Sequence, residues 1–144
     1  MTKKIKQATY LIFILVTLAL LCSCTTTANN NITVITIQDT QITDDIDDPA
    51  LLEACTNWSL LKSDIKAILN MSEPISSVEK NASYYYIPCD IEGTAEKNSS
   101  TFTYVINAGA TATLTSQDNT STYYGCSDPS CEQYFLIMPD GANP

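Results

Sequence analysis

The chain has 144 residues, with six cysteines, seven lysines, sixteen acids and neither arginine nor histidine. A formal charge of −9 excludes a phosphate-reading nucleic-acid surface, which needs Lys and Arg, and a polybasic hold on anionic lipid. Without histidine there is no Ser-His or Cys-His nucleophile pair and no His-bearing zinc or haem site; without arginine there is no bidentate clamp for phosphate.

The amino terminus carries Lys3, Lys4 and Lys6, then an apolar run from Tyr10 to Leu21 broken only by Thr17. A charged head, an apolar stretch and a small-residue end make an export signal. The run is shorter than the ~20 residues a membrane-spanning helix requires. At its end stands Leu21-Cys22-Ser23-Cys24. A small residue at the cut gives a peptidase access to the bond, and a thiol after it can carry a lipid.

This tetrapeptide resembles the lipobox of bacterial lipoproteins, with Cys22 inside the box as a departure. The resemblance covers residues 1–23 as the signal and implies diacylglycerol attachment at Cys24, with a membrane hold through the lipid and its acyl chains, palmitate among them. Thr25, rather than aspartate, follows Cys24; in that family this implies the outer membrane, facing the periplasm. Loss of the signal leaves four lysines against sixteen acids, a charge of about −12. Such a surface keeps an exported protein soluble and favours capture of a basic protein partner.

Residues 24–50 read as a lipidated, flexible, acidic tether. Thr33 to Ile37 is the only strand-like stretch in it, and Asp44-Asp45-Ile46-Asp47-Asp48-Pro49 sets four acids before a proline. The run lacks the glycine and distal glutamate of a calcium loop, so no metal is expected there. As a coil of ~25 residues it would span about 25–30 Å.

The domain is expected over residues 51–144. Leu51, Leu52, Cys55 and Trp58 form an apolar cluster, and Leu61, Ile65, Ile68 and Leu69 share one face of a helix over Leu60 to Met71. Pro74 stops it, and Ser76 to Lys80 adds a short helical turn. The period then changes to two. Strands are expected at Tyr84 to Cys89, Thr101 to Asn107, Thr111 to Ser116, Thr122 to Tyr124 and Tyr134 to Met138, with a polar loop from Glu92 to Ser100. The sum is an α+β domain, one main helix packed on an antiparallel sheet of four to five strands.

Cys55, Cys89, Cys126 and Cys131 remain once Cys22 is removed and Cys24 is lipidated. An even set in an oxidising compartment reads as two disulfides with three possible pairings. Sequence separation favours Cys55–Cys89 and Cys126–Cys131. A four-thiolate zinc site fits poorly, because Cys55 and Cys89 are isolated in sequence.

Asp90 and Glu92, two apart on a strand-like stretch and hence on one face, are the candidate carboxylate pair. A glycosidase needs a deep cleft around such a pair, so no catalytic residue is assigned and no cofactor is expected. Tyrosine is enriched at recognition surfaces, and Tyr85, Tyr123 and Tyr124, near the Cys126–Cys131 ring, form the candidate partner-binding patch. Six Asn-x-Ser/Thr triplets begin at Asn31, Asn57, Asn70, Asn81, Asn98 and Asn119. They are acceptor sites in eukaryotic secreted proteins; in a bacterial chain rich in Asn and Thr they arise by composition alone, and the absence of arginine beside plentiful Lys, Asn and Ile favours that second reading. The functional expectation is an envelope-anchored inhibitor or immunity protein against a toxin or hydrolase. The alternative is a structural accessory of an envelope complex.

Overall fold

The computed structural model describes residues 32–140, so the expected export segment and the expected lipidation site Cys24 lie outside the described residues. In chain order the elements are β1 (Ile32–Ile37), β2 (Gln41–Ile42), α1 (Pro49–Asn57), α2 (Lys62–Met71), β3 (Glu73–Ile75) and α3 (Ser77–Ser83). There follow β4 (Cys89–Lys97), β5 (Ser100–Asn107), β6 (Thr111–Ser116), β7 (Ser121–Gly125) and a 3-10 helix (Pro129–Tyr134). The strands form one antiparallel sheet in the order β1-β4-β5-β6-β7-β3, with β2 beside β1 on the same flank of β4. The α+β class and both disulfides are present, and the sheet has seven strands rather than four or five.

Two of the extra strands come from the segment expected to be a tether. Ile32 pairs opposite Lys97, is 2 % exposed and belongs to the core, and Gln41 pairs opposite Asp90. The sheet therefore includes residues upstream of the expected boundary at Leu51. The alternation in β1 is short and the acids after it are many, so its composition resembles a spacer. Its partner strand, far away in sequence, gives it a place.

That partner, β4, covers most of the expected loop at Glu92 to Ser100. Hydropathy hides it because its inward positions are small: Cys89, Ile91, Gly93 and Ala95 are buried in strict alternation. The large residues that fill this space belong to β5, where Tyr104 lies opposite Gly93 and Phe102 opposite Ala95. A Cβ added at Gly93 would stand 2.3 Å from the Tyr104 hydroxyl. That hydroxyl donates to the Thr36 carbonyl at 2.7 Å and so ties β5 to β1 across β4. Asn98 and Ser99 close the hairpin with φ of 52° and 62°, the left-handed pair of a two-residue turn that matches strand twist.

Two expected strands are absent. Tyr84 to Pro88 is an irregular loop that joins the ladder only at Cys89; the Asn107 side chain bonds Ile87 and the Thr43 N–H donates to the Pro88 carbonyl. Tyr134 ends the 3-10 helix and residues 135–138 follow it without strand pairing; Phe135 and Met138 are buried as core plugs instead.

Helix α1 begins where Asp48 accepts the Ala50 N–H at 2.9 Å and Pro49 takes the first turn. Its buried Cys55 is joined to Cys89 of β4, which fixes helix to sheet. In α2 the Asp64 carboxylate reaches back to the Leu61 N–H at 2.8 Å. Ile65, Ile68 and Leu69 are buried as expected, while Leu61, just before the helix, is 70 % exposed. The helix lies against β1 and the 3-10 turn.

The opposite face of the sheet is a row of hydroxyls. Thr36, Thr94, Thr103, Thr115 and Ser121 stand in register across β1, β4, β5, β6 and β7. Thr36 and Thr94 hydroxyls meet at 2.8 Å and Thr115 and Ser121 at 3.0 Å. Both sheet edges are guarded. The β1 register shifts between Val34 and Thr36, and Lys62 donates to the Ile35 carbonyl at 2.5 Å; the outer strand β3 contains Pro74. Bulges, lysine and proline at edges block strand addition by another chain.

Candidate functional site

A cleft forms where α3, the Tyr84–Tyr86 loop and the β5–β6 turn meet. Lys80, Asn81, Tyr84, Tyr85, Tyr86, Asn107 and Thr111 line a cavity of about 250 Å³. Its floor is built on Asn107, which is 6 % exposed. The Asn107 side-chain carbonyl accepts the Ile87 N–H at 3.1 Å and the Gly109 N–H at 3.0 Å. Its amide donates to the Ile87 carbonyl at 2.5 Å and to the Asp90 carboxylate at 2.7 Å. One side chain thus meets both backbone groups of Ile87, which pairs with no strand. Gly109 permits the close approach: a Cβ there would sit 1.9 Å from the Tyr85 carbonyl oxygen.

The tyrosines divide by environment. Tyr84 lies over Gly125, where a Cβ would meet its hydroxyl at 2.2 Å. Burial pushes the Tyr84 phenol up, opposed by a hydrogen bond from Ser127, while Glu79 and Glu73 raise it further. Tyr85 and Tyr86 face solvent, 48 % and 63 % exposed, and the Tyr86 hydroxyl meets the Thr43 hydroxyl at 2.8 Å. The Lys80 ammonium stands 5.0 Å from the centre of the Tyr123 ring, within cation–π range.

Asp90 is the carboxylate nearest this cleft. Burial raises it above the ordinary range; the Asn107 hydrogen bond lowers it, Glu92 raises it and Lys80 lowers it. Asp90 and Glu92 do share a strand face, yet Asp90 is engaged by Asn107. This arrangement can hold a small polar or aromatic group.

Of the expected patch, Tyr85 and Tyr123 flank the α3 side of the sheet. Tyr124 does not join them: adjacent strand residues point to opposite faces, and it packs against the core. Tyr86 takes its place as the most exposed tyrosine, a position hidden in sequence because the Tyr84–Tyr86 run reads as a strand. Cys55–Cys89 and Cys126–Cys131 are bonded as favoured by separation.

A second concave region surrounds the Trp58–Leu60 connection, with hollows of about 330 Å³ and 550 Å³ on its two sides. Trp58 is structural here: its indole N–H donates to the Tyr134 carbonyl at 2.8 Å and its carbonyl accepts from Thr40. Among the described residues no group of three Cys, Asp or Glu side chains gathers to hold a metal ion, and no helix is long and apolar enough to cross a membrane. Comparison with protein-family models, curated proteins and solved structures finds no match, and function must be argued from the residues themselves.

Proposed function

We propose that the chain is an exported lipoprotein, lipidated at Cys24 and held at the outer membrane, whose domain binds and neutralises a basic toxin or hydrolase in the periplasm. The observation that carries this reading is the presentation of Tyr85 and Tyr86. Large aromatic side chains are left in solvent on a loop that Asn107 and Thr43 hold in place. Aromatic anchors of this kind, rigid before contact, lose little freedom on binding and dominate interface energetics. The surplus of acids supports a basic partner by steering its approach. The two disulfides suit an oxidising compartment.

The test is affinity capture with the mature chain, oxidised, against periplasmic and secreted extracts. The bait must retain residues upstream of Leu51, since β1 and β2 belong to the sheet. One basic hydrolase or toxin recovered at near-equal stoichiometry, lost in a Tyr85→Ala/Tyr86→Ala variant and inhibited by the wild type, is the expected result. Recovery of resident envelope proteins alone would replace this reading with an assembly role. Metabolic labelling with a fatty acid, abolished by Cys24→Ala, tests the anchor separately.

A further inference from the structure

The Asn-x-Ser/Thr triplets look compositional in sequence, and the structure sorts them by position. All five described triplet asparagines are exposed. Asn57 closes α1, Asn70 lies in the last turn of α2 and Asn81 in the last turn of α3. Asn98 and Asn119 sit at hairpin tips with φ of 52° and 62°. Asn107, the one described asparagine outside a triplet, is also the one buried. Each described triplet asparagine therefore has room for a bulky substituent, and the described asparagine that could not carry one lacks the motif.

Asn81 adds a second observation. It borders the cleft with Lys80, Tyr84, Tyr85 and Tyr86, and the cavity of about 250 Å³ is of the size of one sugar ring. The exposed rings of Tyr85 and Tyr86 suit the C–H faces of a pyranose, and the Tyr85 hydroxyl suits its oxygens.

We propose that Asn81, Asn98 and Asn119 are acceptors of N-linked saccharides, and that the first sugar on Asn81 is seated in the tyrosine cleft. The donor is a saccharide on a polyisoprenyl diphosphate, used by a membrane oligosaccharyltransferase. The Asn amide nitrogen attacks C1 of the sugar. The N–C1 bond forms as the C1–O bond to phosphate breaks, the diphosphate leaves with the electron pair, and the amide nitrogen gives one proton to a base of the transferase. Nothing is oxidised or reduced. The sugar seated on Asn81 becomes part of the surface that a partner meets.

This rests on export, which the proposed function also requires, and on neither the lipid nor the partner. The test is the intact mass of the full protein from its own source, before and after a glycan-releasing amidase that converts the linked Asn to Asp. A saccharide mass lost on treatment, with conversion mapped to Asn81, Asn98 and Asn119, is expected. A mass without saccharide overturns the proposal, and if lipid is present on Cys24 it leaves the lipoprotein reading standing. For the cleft, Asn81→Gln in the glycosylated protein should lower the melting temperature and the amide protection of Tyr85 to Ile87, while Asn119→Gln changes neither. Equal behaviour of the two variants overturns the seat.

Discussion

At Asn107 one amide meets two backbone N–H groups, a backbone carbonyl and a carboxylate. Replacement by alanine leaves buried donors at Ile87 and Gly109 without a partner, each worth ~1–3 kcal/mol. Asn107→Ala should therefore cost about 3 kcal/mol in a urea titration, with early hydrogen exchange at those two amides. Next to it, Asp90 has its carboxyl raised by burial first. A raised acid favours the native state only while protonated: that contribution is present below the ordinary carboxylate range and lost as pH rises through the folded value. Asp90→Asn should thus raise the melting temperature at neutral pH and leave it little changed in acid. Tyr104 works the same way at the other end of the scale. Burial pushes its phenol up to about 12, so its stabilising share is whole below the ordinary 10 and falls away as pH climbs toward 12. Tyr104→Phe should lose about 1 kcal/mol with the bond to Thr36 and flatten the alkaline loss, read by melting temperature from pH 9 to 12.

At the scale of elements, the two disulfides do unequal work. Cys55–Cys89 joins α1 to the central strand across 34 residues, while Cys126–Cys131 closes a ring with a separation of 5. On the chain-entropy account the first is worth about 4 kcal/mol and the second about 2 kcal/mol. Paired Cys→Ala variants, compared by denaturant titration, should keep that order. Elements with a strong local signal are the ones legible in sequence. Helix α2 shows its apolar face, β5 alternates large residues, and β6 and β7 are separated by a polar turn. Strand β4 is not legible, because Gly93 and Ala95 face inward only in answer to Tyr104 and Phe102. The Tyr84–Tyr86 run fails in the other direction: its β propensity is high, yet no strand pairs with it, and the next residue, Ile87, has both backbone groups bonded to the Asn107 side chain.

For the molecule as a whole, the place of residues 32–48 decides where the domain begins. Removal up to Asp48 would expose one side of β4 and leave the Tyr104 hydroxyl without Thr36. A chain starting at Pro49 should be aggregation-prone or lack a cooperative unfolding transition, whereas one starting at Ile32 should melt cooperatively; calorimetry separates the two. The same topology gives the surface its division. One face of the sheet is covered by helix and core, the other presents hydroxyls, and α3 folds over one corner to make the tyrosine cleft. Composition by itself determined the charge, the absence of histidine and arginine chemistry, and the pairing-ready cysteines, since these depend on which residues are present. Periodicity determined the amphipathic helix and the clearest strands, because their partners are implied by their own pattern. Only the tertiary structure decided the membership of β1, the existence of β4, the loop at Tyr84 to Pro88 and the separation of Tyr123 from Tyr124. Each of these is settled by a partner distant in the chain, and a local pattern carries no record of the residue that will stand opposite it.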